Sequence, residues 1–236
     1  MCIRDRPGGD PVIDETYHPH YALKVMKKPS LDGKANEKEW ALAKWRAMDQ
    51  LIIGEEPSSE DFQGKYKLLW DEDMIYILVE IQDDKFMDQH KDGLHKYWDD
   101  DCLEIFIDEN YSGGNHQYNH TAFAYHVSLN DKVVDLGLDE KPHYYSDHLE
   151  ISKSQTKQTM LWEIGLKVYG DRYYDQDKAT SRIKLTEGKR MGFMMAYSDN
   201  DNSEKREHFV CDIFIDREDK NLAWKDAGIF GNIILK

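Results

Sequence analysis

Apolar and polar residues alternate with a period of two in many short segments of this chain, which is the pattern of β-strands with one buried face. In segment 102–108, Leu103, Ile105 and Ile107 fall on one face of a strand, and Glu104 falls on the other. The same criterion predicts strands at 21–25, 65–70, 74–82, 121–129, 132–136, 160–168, 191–197, 209–215 and 229–235. Repeated short strands of this kind predict a fold built mainly from β-sheet.

Turn and helix signals narrow the fold class. Residues 71–73 and 130–131 are short polar turns that would join neighbouring strands as hairpins. A short helix is predicted at 37–45, with Trp40 turned toward the core. Because turns are frequent and helices are few, we predict an all-β fold, an antiparallel β-sandwich of jelly-roll type with one or two short helices.

The chain is long enough for one large domain, which we assign to residues 21–236. Residues 1–20 are predicted to be a leader that is non-native or disordered. The opening residues, MCIRDRPGGD, carry two arginines and no apolar stretch, so they are not a secretory signal peptide. They look like translated adapter sequence, and we leave them out of the predicted fold.

Composition and charge restrict the partners of this chain. Hydrophobic residues make up 40% of it, and 14 Tyr, 8 Phe and 6 Trp supply large core side chains, which excludes a wholly disordered protein. Its 46 acidic and 31 basic residues give a net charge of −15, which repels phosphate backbones and anionic lipids. No stretch approaches the roughly 20 apolar residues of a membrane-spanning helix. We therefore expect neither nucleic acid nor membrane as a partner.

The motifs of common hydrolytic centres are not found in the sequence. Glu104 and Asp108 share a strand face, but four residues at about 3.3 Å each separate their backbones by roughly 13 Å, beyond the roughly 5 to 9.5 Å of glycosidase carboxylate pairs. Carboxylates on other strands are candidates that the sequence does not single out. There is no Gly-x-Ser-x-Gly motif, and Cys102 and Cys211 lie in apolar strands where we expect buried thiols. We assign no catalytic residue.

An acidic segment raises the question of a metal site. Residues 199–202, Asp-Asn-Asp-Asn, resemble the opening of a calcium-binding loop. Glu204 stands where an EF-hand has its glycine, and Val210 stands where it has its bidentate glutamate, so the segment is not an EF-hand. A solvated turn is the interpretation we favour, and a calcium site of another type is the alternative.

Two tryptophans lie in polar segments, where a core residue is less expected. Trp98 follows a polar loop and precedes three aspartates, and Trp224 lies in the polar segment 220–226. A period of two places Trp98 on the same face as Glu104. Aromatic rings pack against the apolar faces of sugars, and carboxylate or amide groups bond the hydroxyls at their rims. The pattern admits either a sugar site or two tryptophans that anchor loops.

Motifs from Ser30 onward resemble those of the family 9 carbohydrate-binding modules, antiparallel β-sandwiches often joined to xylan- and cellulose-degrading enzymes. The matching segments are 31–33 with Glu37 and Trp40, 69–72 with 75–77, 98–109, 192–193, and 224–226 with 230–232. By motif position, Trp98 and Trp224 look like the two tryptophans between which the family holds a sugar ring. Glu104 and Asn221 resemble the glutamate and the asparagine that bond the sugar hydroxyls.

Two positions depart from the family pattern. Tyr125 stands where reducing-end-binding members carry an arginine, with His126 adjacent if the register differs by one residue, and Ala196 stands where they carry a glutamine. Because polar contacts decide which sugar a site accepts, the resemblance leaves reducing-end selectivity open. The polar residues left to reshape the rim are Tyr125, Tyr197, Asp199 and Arg206.

The resemblance implies a non-catalytic domain that binds an oligosaccharide or polysaccharide and serves the degradation of xylan- or cellulose-type polymers. Its implied binding residues are Trp98, Trp224, Glu104, Asn221 and Tyr125. The implied partner is a glycoside hydrolase, fused or separate, and the implied location is extracellular or periplasmic. No cofactor is required, and a structural calcium ion is carried from the family without assigned ligands.

Two alternatives stay open at this point. One is a haem-binding domain, since related sandwiches bind haem through Met and His, and this chain has Met194, Met195 and His126 in strand segments. Methionines in strands more often fill gaps in a core. The other is a small glycosidase or a fragment of one, which predicts turnover of a glycoside.

Overall fold

A computed structural model describes residues 20–201 and 204–236 of the chain. The leader predicted at residues 1–20 therefore lies outside the described residues except for His20. The strands are β1 (His20–Lys24), β2 (Arg46–Met48), β3 (Gln50–Ile53), β4 (Phe62–Trp70), β5 (Ile75–Asp83), β6 (Cys102–Asp108), β7 (Phe123–Ser128), β8 (Val133–Leu136), β9 (Pro142–Tyr144), β10 (Leu149–Gln155), β11 (Thr159–Leu166), β12 (Arg190–Asp199), β13 (His208–Cys211) and β14 (Gly231–Leu235). One short α-helix, α1 (Lys178–Ser181), and 3-10 turns at Lys38–Ala41, Ser146–His148, Asp175–Asp177 and Ala227–Ile229 accompany them.

The strands form one curled, mixed sheet in the order β10-β11-β5-β4-β1-β14-β12-β6-β7-β8-β9. Strand β13 pairs with β12 and β3, and β2 pairs with β4. Strand β1 runs parallel to both of its neighbours, β4 and β14, whereas the other pairs are antiparallel. The all-β prediction is confirmed. The expected purely antiparallel arrangement needs correction, because β1 inserts between β4 and β14 and joins the two halves of the sheet.

The curled sheet folds over a main hydrophobic core. Inward-facing residues of β4, β5 and β11 meet inward-facing residues of β6, β7 and β12, among them Trp70, Trp162, Ile105, Tyr125 and Phe193. The strict alternation along β6 sends Leu103, Ile105 and Ile107 into this core, as the sequence predicts. Burial of such large apolar side chains is the main stabilising contribution to a fold of this kind.

Several predicted elements change length or type. The helix expected at 37–45 is a 3-10 turn at Lys38–Ala41, although Trp40 is buried as predicted and its indole N–H donates to Glu163 at 2.9 Å. Strands β2, β3, β9 and β10 were not predicted, since β10 is an edge strand with little alternation and the others are short. The strand predicted at 209–215 ends at Cys211.

After β13, the chain crosses the other side of the sheet. We call residues 213–230 the cover segment. Its Ile213, Ala223, Ile229 and Phe230 pack in a second apolar cluster against Phe106 of β6. This packing fixes the position of the polar turn that contains Trp224.

Two smaller expectations concern cysteines and membranes. Cys102 and Cys211 are buried free thiols, as predicted, and Cys2 lies outside the described residues. Among the described residues, we find no helix with the length and apolar character that crossing a bilayer requires.

Candidate functional site

Strands β6, β7 and β12 present one face to the main core and the opposite face, here called the outer face, to the cover segment. Antiparallel pairing aligns their outer-facing residues in rows. One row is Met194, Phe106 and Ala124, and the next is Ala196, Glu104 and His126. The first row lies in the apolar cluster beneath the cover segment. In the second row, Ala196 belongs to the same cluster, and beside it Glu104 and His126 place a carboxylate and an imidazole side by side.

Glu104 is the central polar group of this face and is only 2% exposed. Its carboxylate accepts hydrogen bonds from the Ser198 hydroxyl at 2.9 Å and from Arg206 Nη1 at 3.1 Å. The His126 Nε2 atom lies 3.2 Å from its other oxygen. Arg206 Nη1 also bonds the Ser198 hydroxyl at 2.9 Å. Three side chains, from two strands and one loop, therefore converge on the buried carboxylate of Glu104.

The electrostatics of this group favour its charged form. Burial alone would raise the pKa of Glu104, but the neighbouring His126 and Arg206 outweigh burial and lower that pKa. Burial alone would lower the pKa of His126, but the Glu104 carboxylate outweighs burial and raises it. A buried carboxylate with fixed charged partners is a preorganised hydrogen-bonding group rather than a titrating acid or base.

Trp98 lies just before β6 and is 40% exposed. Its ring meets Tyr97 edge-on at 4.9 Å, and Tyr97 meets His126 edge-on at 4.8 Å. The following turn is fixed by Asp100, which accepts hydrogen bonds from the backbone and the ring of His90. Trp98 is thus an exposed ring that two edge-on aromatic contacts, through Tyr97, link to His126, the partner of Glu104.

Trp224 lies in the cover segment and is 39% exposed. Its indole N–H donates to the backbone carbonyl of Asn221 at 3.2 Å, and the Lys225 ammonium lies 5.1 Å from its ring centre. The neighbouring Ala223 is buried in the outer-face cluster, and its carbonyl bonds to His116 at 2.8 Å. Trp224 and the half-buried Asn221 are therefore held over the outer face by residues that pack on it.

Tyr125 and Tyr197 lie elsewhere. Each is fully buried in the main core, and the Tyr125 hydroxyl is hydrogen-bonded to His148 at 2.8 Å. Glu104 pairs directly with His126 across β6 and β7, so of the two neighbouring residues Tyr125 and His126 it is His126 that lies on the outer face with Glu104. The expectation that Tyr125 contacts a ligand is corrected, because a one-residue change in a strand moves a side chain to the opposite face.

The residues suggested for haem are not arranged as axial ligands. Met194 is buried in the outer-face cluster and Met195 in the main core, on opposite sides of the sheet. Both ring nitrogens of His126 have partners, Glu104 and the Ala124 carbonyl. These positions favour packing and charge pairing over haem ligation.

A second polar group closes one end of the main core. The carboxylates of Asp83, Asp101 and Asp199 are buried and have oxygens within 4.8 Å of one another. Asp83 ends β5 in one half of the sheet, whereas in the other half Asp101 immediately precedes β6 and Asp199 ends β12. Two further sets with the same spacing are Asp61 with Asp199 and His208, and Asp61 with Asp84 and Asp201. We call these seven residues the acidic cluster.

The hydrogen bonds of the acidic cluster are incomplete within the described residues. Asp101 accepts from the backbone N–H groups of Met87 and Asn200 at 2.7 and 2.8 Å. Asp199 is 1% exposed, and neither of its carboxylate oxygens has a hydrogen-bond partner among the residues that the structure describes. One carboxylate oxygen of the fully buried Asp83 likewise has no hydrogen-bond partner among the described residues. Buried oxygens of this kind normally have a partner, and a cation would supply one.

The pKa values of these carboxylates also favour a cation as their partner. Burial and the neighbouring carboxylates raise the pKa of Asp101, and they raise the pKa of Asp199 to about 8. Three adjacent carboxylates without a cation cannot all ionise. Carboxylate oxygens at the spacing of the acidic cluster are the donors that calcium prefers, so these residues fit the ion that the family resemblance allows.

The sequence named Arg206 among the residues that could reshape the rim, but it did not predict the contact of Arg206 with Glu104, and it did not identify Ser198. Both side chains reach Glu104 because β12 pairs with β6 and the loop after β12 returns to Glu104. Asp61, Asp83 and Asp101 are far apart in the sequence from Asp199, and the Asp-Asn-Asp-Asn pattern was the one signal that pointed to part of the acidic cluster. The calcium site of another type stays a prediction, and the acidic cluster gives it a set of candidate ligands.

Comparisons with solved structures show the same fold. The chain superimposes on a family 9 carbohydrate-binding module from Caldicellulosiruptor kristjanssonii in complex with cellotriose, with a TM-score of 0.67 and 19% identity. The match covers 93% of this chain and 94% of that module. The module in complex with glucose matches with a TM-score of 0.66 and 19% identity, covering 92% of this chain and 95% of that one.

Comparison with curated proteins finds an enzyme of which this chain corresponds to a small part. The endo-1,4-beta-xylanase C of Paenibacillus barcinonensis is 23% identical over 215 residues. The match covers 91% of this chain and 17% of the xylanase.

The family model described as carbohydrate family 9 binding domain-like matches residues 31–236. That range contains Glu104 and its partners, Trp98, Trp224 and the acidic cluster. The chain belongs to the carbohydrate family 9 binding domain-like family.

Proposed function

We propose that this chain is a non-catalytic domain that binds carbohydrate on the outer face. Glu104 bonds sugar hydroxyls with the help of Asn221, and Trp98 and Trp224 stack on the sugar ring. The observation that carries the proposal is a buried, charge-paired carboxylate on the outer face, with the exposed Trp98 linked to its partner His126 through Tyr97 and the exposed Trp224 held in the cover segment over the same face. Solvent-exposed indole rings and a fixed charged acceptor are the two elements that sugar recognition needs.

The residues around Glu104 determine which sugar hydroxyls the site can bond. Ala196 lies directly opposite Glu104 on β12 and offers no hydrogen bond, whereas His126 and Arg206 fix the carboxylate from the other sides. We propose an oligosaccharide or polysaccharide of the xylan or cellulose type as the ligand, supported by the cellotriose and glucose complexes of the related module and by the xylanase match.

We also propose that the domain acts beside a glycoside hydrolase, fused or separate, in polysaccharide breakdown outside the cytoplasm. The support is the family membership and the match to a part of an endo-xylanase.

Calorimetric titration tests the binding proposal. Cellotriose, xylotriose and glucose are titrated into the wild-type chain and into Trp98→Ala, Trp224→Ala and Trp45→Ala variants. Trp45 is also 40% exposed but packs near Lys65 and Lys67, so it is the matched control. We expect each of the first two substitutions to weaken binding at least about tenfold, or about 1.4 kcal/mol, and Trp45→Ala to leave it unchanged. Wild-type chain that takes up none of the three sugars would refute the proposal.

For the acidic cluster we propose a structural calcium ion held by Asp83, Asp101 and Asp199, with Asp61, Asp84, Asp201 and His208 around it. Bound calcium would neutralise the carboxylates and connect the two halves of the sheet. Calcium at about 100 times its dissociation constant should raise the free energy of unfolding by about 2.7 kcal/mol. Asp199→Asn should remove this gain, and the surface substitution Asp171→Asn should retain it. A melting temperature that calcium and EDTA leave equal in the wild type would refute this site.

A further inference from the structure

The loop after β12 connects the acidic cluster with the sugar site. Asp199 and Asp201 precede Arg206 in this loop, and His208 follows it, so candidate cation ligands lie on both sides of Arg206. Arg206 itself points to the outer face, where Nη1 bonds Glu104 and Ser198. The loop therefore contributes to both groups within a few residues.

The hydrogen bonds of this loop close it onto the cluster. Glu207 donates its backbone N–H to the Asp199 carbonyl at 2.9 Å, and its carboxylate accepts from the Asp201 backbone at 2.9 Å. The backbone of Arg206 lies 3.4 Å from the Asp99 carboxylate, in the turn that carries Trp98. Displacement of Asp199 and Asp201 would therefore displace Arg206 and loosen the turn beside Trp98.

Arg206 is well placed to act on a ligand as well as on Glu104. Its guanidinium packs over the Phe209 ring at 4.2 Å, which fixes the plane of the group. A guanidinium has five N–H donors, and the two bonds to Glu104 and Ser198 are both made by Nη1. The N–H groups of Nε and Nη2 form a rigid fork beside the Glu104 carboxylate. This geometry suits hydrogen bonds to two adjacent hydroxyls of a sugar.

We infer that Arg206 is a sugar-contacting, specificity-determining residue and that a divalent cation in the acidic cluster holds it in place, so that sugar affinity depends on the cation. This inference rests on the proposed sugar site. Without the cation, both carboxylate oxygens of the buried Asp199 lack a hydrogen-bond partner among the described residues, and the loop loses its anchor on both sides of Arg206. With the cation bound, the loop and the turn of Trp98 take the described positions together.

The experiment measures cellotriose affinity by calorimetry in excess calcium chloride and again after removal of calcium with EDTA. Circular dichroism at the same temperature shows that the chain stays folded in both. We expect removal of calcium to weaken cellotriose binding at least about tenfold in the wild type and in Asp171→Asn. In Arg206→Ala, binding is already weakened by a similar factor, and calcium no longer changes it. Asp199→Asn in calcium behaves like the wild type in EDTA.

The outcomes separate the proposals. If calcium binds but leaves the cellotriose affinity of the wild type unchanged, or if Arg206→Ala keeps the full calcium effect, the coupling is refuted and the sugar site stands. If cellotriose binds but calcium does not, the coupling and the calcium site are refuted together. If the calcium-loaded wild type takes up no cellotriose, xylotriose or glucose, the sugar site itself is refuted and the coupling with it.

Discussion

Glu104 and His126 face each other across β6 and β7, with the imidazole Nε2 3.2 Å from the carboxylate. The pair lies on the outer face, and both residues are almost completely buried. A buried pair of this kind holds its geometry because each charge stabilises the other, at the cost of removing both from water. It gives the site a fixed charged acceptor near neutral pH.

This pair predicts a definite pH dependence of stability. The raised pKa of His126 stabilises the folded chain fully below the ordinary value of 6.5, and this contribution is lost as the pH rises through the folded value. The lowered pKa of Glu104 stabilises the fold above 4.5 and is lost as the pH falls through its folded value. The stability advantage of the wild type over His126→Gln should therefore be largest between pH 4.5 and 6.5.

Urea unfolding at a series of pH values measures this advantage, which we expect to reach about 1.5 to 3 kcal/mol, as for hydrogen bonds to charged groups. The control is His143→Gln, because His143 makes a comparable contact with Asp139 at 2.7 Å on the surface. That variant should differ from the wild type by about 0.5 kcal/mol or less. An advantage of His126 that grows above pH 6.5 would contradict the assignment of charges.

The position of Tyr125 predicts a separation of stability from binding. Tyr125→Phe removes the hydroxyl that is hydrogen-bonded to the buried His148, which should lower the free energy of unfolding by about 1 to 3 kcal/mol. The same substitution should leave cellotriose affinity unchanged, because the side chain faces the main core. If Tyr125→Phe weakened cellotriose binding and left the free energy of unfolding unchanged, Tyr125 would belong to the binding site after all.

Two glycines with similar backbone angles test the packing of the fold. Gly33 has φ +79°, and a Cβ there would lie 2.7 Å from the Lys153 carbonyl oxygen; Gly188 has φ +82° with nothing within 4 Å. Both alanine variants carry the cost of a left-handed backbone, about 1 kcal/mol, and Gly33→Ala adds a clash with backbone. Thermal unfolding should show Gly33→Ala clearly less stable than Gly188→Ala. Equal losses would mean that the segment around Gly33 does not pack on β10 as described.

The extent to which the sequence predicts this site follows from how each residue is placed. Alternation along a strand was sufficient to put Glu104 on the outer face, because the period of two is fixed by strand geometry. The same rule could not decide between Tyr125 and His126, since the choice depends on the pairing register of β7 with β6.

The contacts of Arg206 and of the acidic cluster show what the sequence could not predict. Asp83, Asp101 and Asp199 meet only because β5 and β12 end, and β6 begins, at the same edge of the main core. Sequence separation of that size carries no distance information until the sheet order is known. Local motifs therefore named the two tryptophans, Glu104 and Arg206 as candidates, whereas the contacts that hold Glu104 in place required the structure.

The most direct measurement of the central proposal follows the indole N–H signals of the six tryptophans by NMR as cellotriose is added. Single Trp→Phe variants assign the signals. We predict that the signals of Trp98 and Trp224 shift together and saturate with one dissociation constant. Those that should stay in place belong to the buried Trp40, Trp70 and Trp162 and to the exposed Trp45. Saturable binding that leaves the signals of both Trp98 and Trp224 unmoved would contradict a sugar site on the outer face.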